Sequence, residues 1–254
     1  MTPATRSPKD TFITIYGRKP VLEALTDERL TVDKVIIADT AHGEPIRRIT
    51  AAARARGVPV RRATAHRVKV LAGNGRHDQG VVADVVAPRM RPVTDFLTEL
   101  PADAPAAVLV LDGVTNPANV GMVLRTATAA GLDGVLLPRR GVPAIDPLVV
   151  KASAGVAFRA PVLRAATAEE GCAALRAAGF ALFGLDAAGE SILDARLPDR
   201  LALALGNETD GISPRVRELL DGRVGIPMLG GVESLNVATA AAVASYELLR
   251  RRRS

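Results

Sequence analysis

The chain has 254 residues, a formal net charge of +6 and a single cysteine. This length suits one large or two ordinary domains. The lone Cys172 excludes an intramolecular disulfide and fits a reducing cytosol, where we expect it to be buried filler, not a reactive thiol. No apolar run approaches the ~18 residues of a membrane-spanning helix, and the polar N-terminus does not have the pattern of a secretory signal. A cytoplasmic protein that does not enter a membrane is therefore expected.

Short alternating elements predict a small α/β unit over residues 11–87, after a polar tail at 1–10 that we expect to be disordered. The periodicity predicts helices at 18–25, 45–56 and 66–71, and strands at 32–38, 58–62 and 80–86. Four prolines mark residues 88–105 as a linker, which includes a short predicted helix at 93–100.

Positive charge is concentrated in the first part of the chain. Residues 1–105 hold 17 Lys/Arg against 12 Asp/Glu, and no acid lies between Glu44 and Asp78. A long basic stretch without acids is a candidate phosphate-binding surface. A solvated basic helix face is an equally good interpretation of the same pattern.

A second α/β unit is predicted over residues 106–254. Apolar runs predict five strands at 106–111, 134–137, 180–185, 201–205 and 223–226. Their lack of polar alternation indicates a parallel sheet that is covered on both faces. Predicted helices fall between the strands, at 120–130, 167–178 and 214–220.

Three loops of unusual composition follow the strands at 106–111, 201–205 and 223–226. They are rich in Gly, Asn, Ser and Glu, and the carboxyl ends of parallel strands form the ligand crevice of such a sheet. The last loop reads as a Gly-Gly turn followed by a helix, with Ser234 as the predicted N-cap and Asn236 in the first turn. An ordinary strand–turn–helix connection would have the same local pattern.

Several site classes are disfavoured by what the chain lacks. It has no G-x-G-x-x-G after a strand and no Walker A lysine, so a Rossmann dinucleotide site or a P-loop is not predicted. All three histidines precede residue 80 and none has metal-ligand spacing, so no metal is expected. Chemistry in the second unit must therefore depend on Arg, Glu, Asn, Ser and backbone groups.

The three loops resemble the three motifs of the SpoU/TrmH RNA 2′-O-ribose methyltransferases. The matching segments are Asn116-x-x-Asn119-x-Gly121-x-x-x-Arg125-x-Ala127, Gly206-Asn207-Glu208-x-x-Gly211-Ile212 and Ile226-Pro227-Met228-x-Gly230-x-x-x-Ser234-Leu235-Asn236-Val237. The first unit resembles the ribosomal-protein-L30e-like substrate-binding domain that often precedes this catalytic domain. It departs from that pattern where Asp78 precedes Gln79, because the family usually has His there and His77 lies one position early.

The resemblance implies a fold, a cofactor and an assembly. The fold is an α/β trefoil-knot domain with a parallel sheet, preceded by the small L30e-like α/β domain, and the assembly is a homodimer formed through the knotted domain. The cofactor is S-adenosylmethionine, without a metal. The implied cofactor-binding residues are Leu205, Gly206, Asn207, Gly211, Ile226, Pro227, Met228, Gly230 and Leu235.

The resemblance also implies a catalytic set on the three motifs. Arg125 is implied to assist the attacking ribose hydroxyl, and Asn119 to orient Arg125 or the ribose. Glu208 is implied to shape the pocket near the substrate, while Ser234 and Asn236 hold the nucleophile or the motif loops.

RNA is the implied substrate, and the basic stretch of the first domain is its expected footprint. The implied contacts are Arg18, Arg47, Arg48, Arg54, Arg61, Arg62 and Arg76. The L30e-like domain favours 23S ribosomal RNA as the target. A tRNA target, or a non-catalytic RNA-binding or ribosome-assembly protein on the same fold, remains an alternative.

Overall fold

The chain forms two separate sheets. The structure is a computed structural model that describes residues 10–73 and 78–253. The backbone divides into two units, one taking the residues up to Pro88 together with 145–147, the other taking the rest. Most of the predicted tail, together with Arg76 and His77, lies outside the described residues. No helix in the described part is long and apolar enough to span a membrane.

The first unit follows the predicted alternation closely. In chain order it contains β1 (Phe12–Tyr16), α1 (Arg18–Thr26), β2 (Val32–Ala38), α2 (Glu44–Ala55), β3 (Val60–Ala63), α3 (Ala65–Ala72) and β4 (Val81–Val86). The sheet order is β1-β4-β2-β3, in which β4 runs antiparallel to both neighbours and β2 pairs in parallel with β3. The strand β1 is not predicted by the sequence pattern.

Local sequence rules account for the helices of this unit. In α2, the residues Ile46, Ile49 and Ala53 are buried at the spacing of one helix face. In α3, the Thr64 hydroxyl accepts a hydrogen bond from the Arg67 backbone N–H, and Gly73 ends the helix at φ 66°. End caps and a buried apolar face stabilise short helices when they pack in a folded protein.

The second unit holds seven strands, where the sequence predicts five. Its elements are β5 (Arg91–Pro92), α4 (Val93–Glu99), β6 (Ala106–Leu111), α5 (Pro117–Ala129), β7 (Gly134–Leu136), α6 (Pro147–Ala152), β8 (Val162–Arg164), α7 (Ala168–Ala177), β9 (Ala181–Ser191), β10 (Arg200–Leu205), α8 (Pro214–Arg217), β11 (Gly222–Gly225) and α9 (Val237–Arg252). The strand order is β11-β9-β10-β6-β7-β8-β5, and all six neighbouring pairs are parallel.

The two unpredicted strands of this sheet, β5 and β8, are two and three residues long. Residues 91–99 fall in the stretch expected to be a linker, yet they form β5 and α4 of the second unit. Phe96 of α4 packs in the core, with its ring centroid 6.4 Å from that of Phe180. Pro92 is compatible with β5 because an edge strand does not need every backbone N–H.

The core of the second unit is aliphatic. All six residues of β6 are buried, as a parallel strand covered on both faces requires. Cys172 lies in the same core and is 1% exposed, and burial raises the pKa of its thiol to about 12. A thiol with this pKa stays protonated at neutral pH, so Cys172 acts as a small core residue, as expected from the sequence.

A charge cluster secures the C-terminal helix. The Glu247 carboxylate accepts hydrogen bonds from Arg250 Nη2 at 2.8 Å and Arg251 Nε at 2.7 Å. Arg251 also donates to the Ala195 carbonyl at 2.7 Å. The pKa of Glu247 is lowered from its ordinary value of 4.5, chiefly by the hydrogen bond from Arg250. Arg250 and Arg251 therefore have a structural role.

We expect Glu247→Gln to lower the free energy of unfolding at pH 7 by on the order of 1 kcal/mol. Because the folded-state pKa is depressed, the carboxylate stabilises the fold above pH 4.5 and loses this effect as the pH falls through the folded-state value. Urea unfolding of wild type and variant across that range measures the effect. The exposed Glu218→Gln is the control, and a constant difference between wild type and Glu247→Gln at all pH values would contradict the prediction.

Candidate active site

A cavity of about 460 Å³ opens beside the middle of β9 and the carboxyl ends of β10 and β11. Its walls come from these strand ends and from the loop that precedes α9. Seven of the nine residues expected to bind a cofactor line it, and these are Leu205, Gly206, Asn207, Gly211, Ile226, Met228 and Leu235. Pro227 and Gly230 are not among the described lining residues. The volume and the mixture of apolar and polar lining residues are typical of a small-molecule site.

The sequence does not indicate one wall of this cavity. Leu185, Asp186 and Ala187 lie in the middle of β9, just after the strand leaves its neighbours, and Arg217 of α8 also lines the space. The rule that places the crevice at carboxyl strand ends applies equally to β9 and could have found this wall. Composition gives no such signal, because the segment after Leu185 lacks the Gly and Asn enrichment of the other loops.

The loop after β10 is a tight hairpin that its own asparagine holds closed. Asn207 and Gly211 exchange two backbone hydrogen bonds, at 2.9 and 3.0 Å. The Asn207 side chain accepts from the Thr209 N–H at 2.8 Å and donates to the Gly113 carbonyl at 2.8 Å. A Cβ on Gly206 would lie 2.2 Å from the Gly211 carbonyl carbon, so only glycine fits beneath the hairpin.

One buried amide joins the three motif loops. Asn119, which is 3% exposed, donates from Nδ2 to Glu208 Oε1, and its Oδ1 accepts from Asn236 Nδ2 at 3.2 Å. The Asn236 Oδ1 in turn accepts from the Ala238 N–H at 2.9 Å. The orientations of the Asn119 and Asn236 side-chain amides are therefore fixed, because the nitrogen and the oxygen of each amide have defined partners.

The start of α9 differs from the expectation. Asn236, not Ser234, is the N-cap, with extended backbone angles and a side chain that accepts from the N–H groups of Ala238 and Thr239. Asn is as good an N-cap as Ser, and its amide nitrogen is also needed for the bond to Asn119. Ser234 lies two residues earlier, is exposed and lines the cavity.

Arg125 lies outside this network. It is an exposed residue of α5, six positions after Asn119 and thus about 9 Å further along the helix axis. It is not among the described residues that line the cavity. The helix α5 packs closely against α6, because a Cβ on Gly121 would lie 2.6 Å from the Val149 carbonyl oxygen.

The arginines of the first unit that are predicted to contact RNA divide into two groups. The side chains of the first group are bonded to other groups of the unit. Arg62 Nη1 donates to the Ala38 and Ala41 carbonyls at 3.0 and 3.1 Å, and Arg47 pairs with Glu44 at 2.7 Å. Arg18 Nε donates to the Gln79 carbonyl at 3.3 Å. The carbonyl contacts limit what Arg18 and Arg62 can offer to a ligand, whereas the exposed pair of Arg47 with Glu44 is weak.

The second group comprises Arg48, Arg54 and Arg61, which are exposed and whose side chains make no hydrogen bond or ion pair within residues 10–73 and 78–253. Of the basic residues predicted to contact RNA, these three are the most available to phosphates. No cluster of His, Cys, Asp or Glu in the described part of the chain is arranged to hold a metal ion.

The second unit is a parallel α/β sheet with a cavity of ligand size at its carboxyl edge, and a basic α/β unit precedes it in the chain. These features are typical of a two-domain protein that binds a cofactor. Residues 106–246 match the SpoU rRNA Methylase family, and residues 14–91 match the domain described as RNA 2′-O ribose methyltransferase substrate binding. The chain belongs to the SpoU/TrmH family of RNA methyltransferases and carries the N-terminal substrate-binding domain of that family.

Known proteins align along nearly the whole chain. A putative TrmH family tRNA/rRNA methyltransferase from Staphylococcus saprophyticus is 33% identical over 244 residues, covering 94% of this chain and 96% of that protein. The SpoU methyltransferase AviRb from Streptomyces viridochromogenes, solved with AdoMet, has a TM-score of 0.65 and 28% identity, covering 96% and 91% of the two chains. An AdoMet-bound rRNA methyltransferase from Sinorhizobium meliloti has a TM-score of 0.64 and 25% identity, covering 95% and 88%. These matches confirm the family resemblance and the predicted fold class.

Proposed function

We propose that this RNA methyltransferase methylates a ribose 2′-hydroxyl, with 23S ribosomal RNA as its substrate. The observation that carries the proposal is the Asn119 amide, which joins Glu208 and Asn236 and so assembles all three motif loops beside the cavity. The match of the first unit to a 2′-O ribose substrate-binding domain supports the ribose as the acceptor.

The cavity fits S-adenosylmethionine. Leu205, Ile226, Met228 and Leu235 offer apolar surface to an adenine ring, and Gly206 lets the backbone approach closely. Two solved relatives with 25–28% identity contain this cofactor. When bound, S-adenosylmethionine supplies an electrophilic methyl group on a sulfonium.

The residues of the chain have separable roles in this chemistry. A ribose hydroxyl is a weak nucleophile until its proton is removed. A guanidinium is not a general base, so the contribution of Arg125 is to position RNA and to stabilise the developing alkoxide. Asn119 keeps the Glu208 carboxylate oriented, and Ser234 offers a hydroxyl at the cavity edge.

The target is inferred from the domain composition. The substrate-binding domain and the rRNA-methylating relative favour ribosomal RNA. The tRNA alternative stays open because the Staphylococcus relative is described as acting on tRNA or rRNA. The intact motif network argues against a non-catalytic RNA-binding protein on the same fold.

The proposal includes a homodimer formed through the second unit and a cytoplasmic location. Three large apolar side chains on α5 and α9 are exposed. Met122 of α5 is 40% exposed, and Val243 and Tyr246 of α9 are 37% and 52% exposed. The helices α5 and α9 pack against each other, so a second copy that covers them would bury these side chains. The single cysteine fits a reducing compartment.

The test is methyl transfer from radiolabelled S-adenosylmethionine to purified 23S rRNA, 16S rRNA and tRNA. We expect label in 23S rRNA at a nucleotide whose 3′ phosphodiester resists alkali, since a 2′-O-methyl group blocks its cleavage. Label in a base would overturn the ribose assignment, and label in tRNA alone would overturn the target. Binding of RNA and cofactor without transfer would favour the non-catalytic alternative.

A second prediction separates the two groups of arginines. Replacing Arg48, Arg54 and Arg61 by Gln should weaken RNA binding about 10-fold or more at 50 mM salt and reduce the salt dependence, because up to three phosphate contacts are lost. Cofactor affinity should not change. Filter binding across a salt series provides the measurement.

The matched control is Arg62→Gln, which removes the bonds to the Ala38 and Ala41 carbonyls. It should lower the unfolding temperature, and it should lower RNA affinity less than the triple variant does. Equal RNA affinity of the triple variant and wild type at all salt concentrations would remove these residues from the RNA footprint.

A further inference from the structure

The strand β9 leaves its neighbours in the middle of its length. Gly184 pairs with Arg223 of β11, and Glu190 pairs with the very next residue, Val224. Residues 185–189 therefore have no partner on β11, and the pairing of β9 with β10 also ends at Gly184. This five-residue bulge lies at the carboxyl edge of the sheet and places Asp186 on the wall of the cavity.

Two glycines allow the bulge to sit against β11. A Cβ on Gly189 would lie 2.6 Å from the Val224 backbone nitrogen, and a Cβ on Gly225 would lie 2.8 Å from the Asp186 carbonyl oxygen. Any larger residue at either position would force the two segments apart. The sequence is therefore matched to a bulge that carries Asp186 into the cavity.

The Asp186 carboxylate is held in place and keeps acceptor capacity. Oδ1 accepts from the Ala188 N–H at 2.9 Å, and Oδ2 accepts from Arg223 Nη1 at 3.3 Å. A carboxylate offers about four acceptor positions, so about half of them are left for a ligand. The bond from Ala188 and the charges of Arg223 and Arg217 lower the pKa of Asp186, so it is ionised at neutral pH.

The side-chain amide oxygens of the cavity are already engaged, because that of Asn207 accepts from two N–H groups of its own hairpin and that of Asn236 caps α9. Glu208, the other lining carboxylate, accepts from Asn119 in the network that joins the motif loops. Asp186 is the lining carboxylate whose contacts in the described structure involve only the bulge and Arg223.

We propose that Asp186 binds the ribose hydroxyls of the adenosine part of S-adenosylmethionine and so determines cofactor specificity. The inference rests on the proposed function. S-adenosylmethionine offers two kinds of donor that suit a carboxylate, the ribose diol and the ammonium group. Arg217 and Arg223 flank Asp186 and repel an ammonium, whereas neutral hydroxyls suffer no such repulsion. A carboxylate that accepts from ribose hydroxyls is also an established way of recognising adenosine cofactors.

The test measures binding of four ligands by titration calorimetry. They are S-adenosylhomocysteine, its 2′-deoxy and 3′-deoxy analogues, and 5′-methylthioadenosine, which keeps the diol and lacks the amino acid. For wild type, we expect removal of a hydroxyl that Asp186 binds to lower affinity about 10-fold to 100-fold. Wild type that binds neither S-adenosylhomocysteine nor S-adenosylmethionine would refute the proposed function itself.

Asp186→Asn should lose affinity for S-adenosylhomocysteine and for 5′-methylthioadenosine by the same factor, and should no longer distinguish the deoxy analogues. Arg223→Ala keeps the carboxylate and should still distinguish them, which separates recognition from support of the bulge. Asp210→Asn, at an exposed acid outside the cavity lining, is the matched control.

The proposal is overturned if wild type binds both deoxy analogues as tightly as it binds S-adenosylhomocysteine. This result needs no variant, so it decides the question even if every variant failed to fold. A loss in Asp186→Asn that spares 5′-methylthioadenosine would also overturn the proposal, since that result assigns Asp186 to the amino-acid end.

Discussion

Arg125→Ala should lower the rate of methyl transfer to RNA by about 100-fold to 1000-fold, the range for removing a group that stabilises transition-state charge. Cofactor affinity should stay within about twofold of wild type, because Arg125 lies outside the described cavity lining. Stability should also be maintained, since exposed substitutions usually change the free energy of unfolding by less than about 0.5 kcal/mol.

Single-turnover kinetics with saturating cofactor, together with calorimetric cofactor binding, gives the two readouts. Arg125→Lys keeps a charge but loses the planar fork of donors, so we expect it to recover only part of the rate. Arg196→Ala, at an exposed arginine of the same unit, is the matched control and should keep full activity. A rate for Arg125→Ala close to wild type would exclude Arg125 from the reaction.

Asn119→Asp should be more damaging than Asn119→Ala, although Asp is nearly identical in shape to Asn. Alanine removes both hydrogen bonds of the amide and should cost about 1–3 kcal/mol of unfolding free energy. Aspartate in addition places a second carboxylate against Glu208, where like charges repel in a partly buried setting. Methyl transfer should fall together with stability in both variants, because the three motif loops lose their shared anchor.

Combining Asn119→Asp with Glu208→Gln provides the decisive control. The amide that Glu208→Gln introduces can donate to the carboxylate that Asn119→Asp introduces, which restores a hydrogen bond with donor and acceptor exchanged. The double variant should therefore regain stability relative to Asn119→Asp alone, whatever happens to activity. Thermal unfolding of the two single variants and the double variant completes the cycle. Strictly additive effects on stability would show that Asn119 and Glu208 do not interact and would refute the role given to this amide.

Much of the fold is encoded in short stretches of sequence. The six apolar residues of β6 predict a strand buried on both faces, and all six are buried. Thr167 and its spacing from Glu170 predict the start of α7, where the Thr167 hydroxyl accepts from the Glu170 N–H. Such elements are predictable because burial patterns and caps depend on residues that are close in sequence. The three-motif resemblance likewise depends on local spacing.

Tertiary contacts decided what local patterns left open. Ser234 and Asn236 are both good N-caps by residue type, and Asn236 takes the role in a structure where its amide also donates to Asn119, far away in sequence. Arg62 and Arg61 are neighbours with the same charge, yet only Arg62 reaches two carbonyl groups. Charge counting cannot distinguish them, because those acceptors come together only when the first unit folds.

The family motifs and the parallel α/β class were therefore readable from the chain alone, since both depend on residue types at fixed spacing. The short strands β5 and β8, the position of Arg125 outside the cavity lining and the bulge that carries Asp186 were not. Each of these is a relation between segments distant in sequence. The bulge, for example, exists only as a register shift between β9 and β11, and neither strand has a local pattern that reveals it.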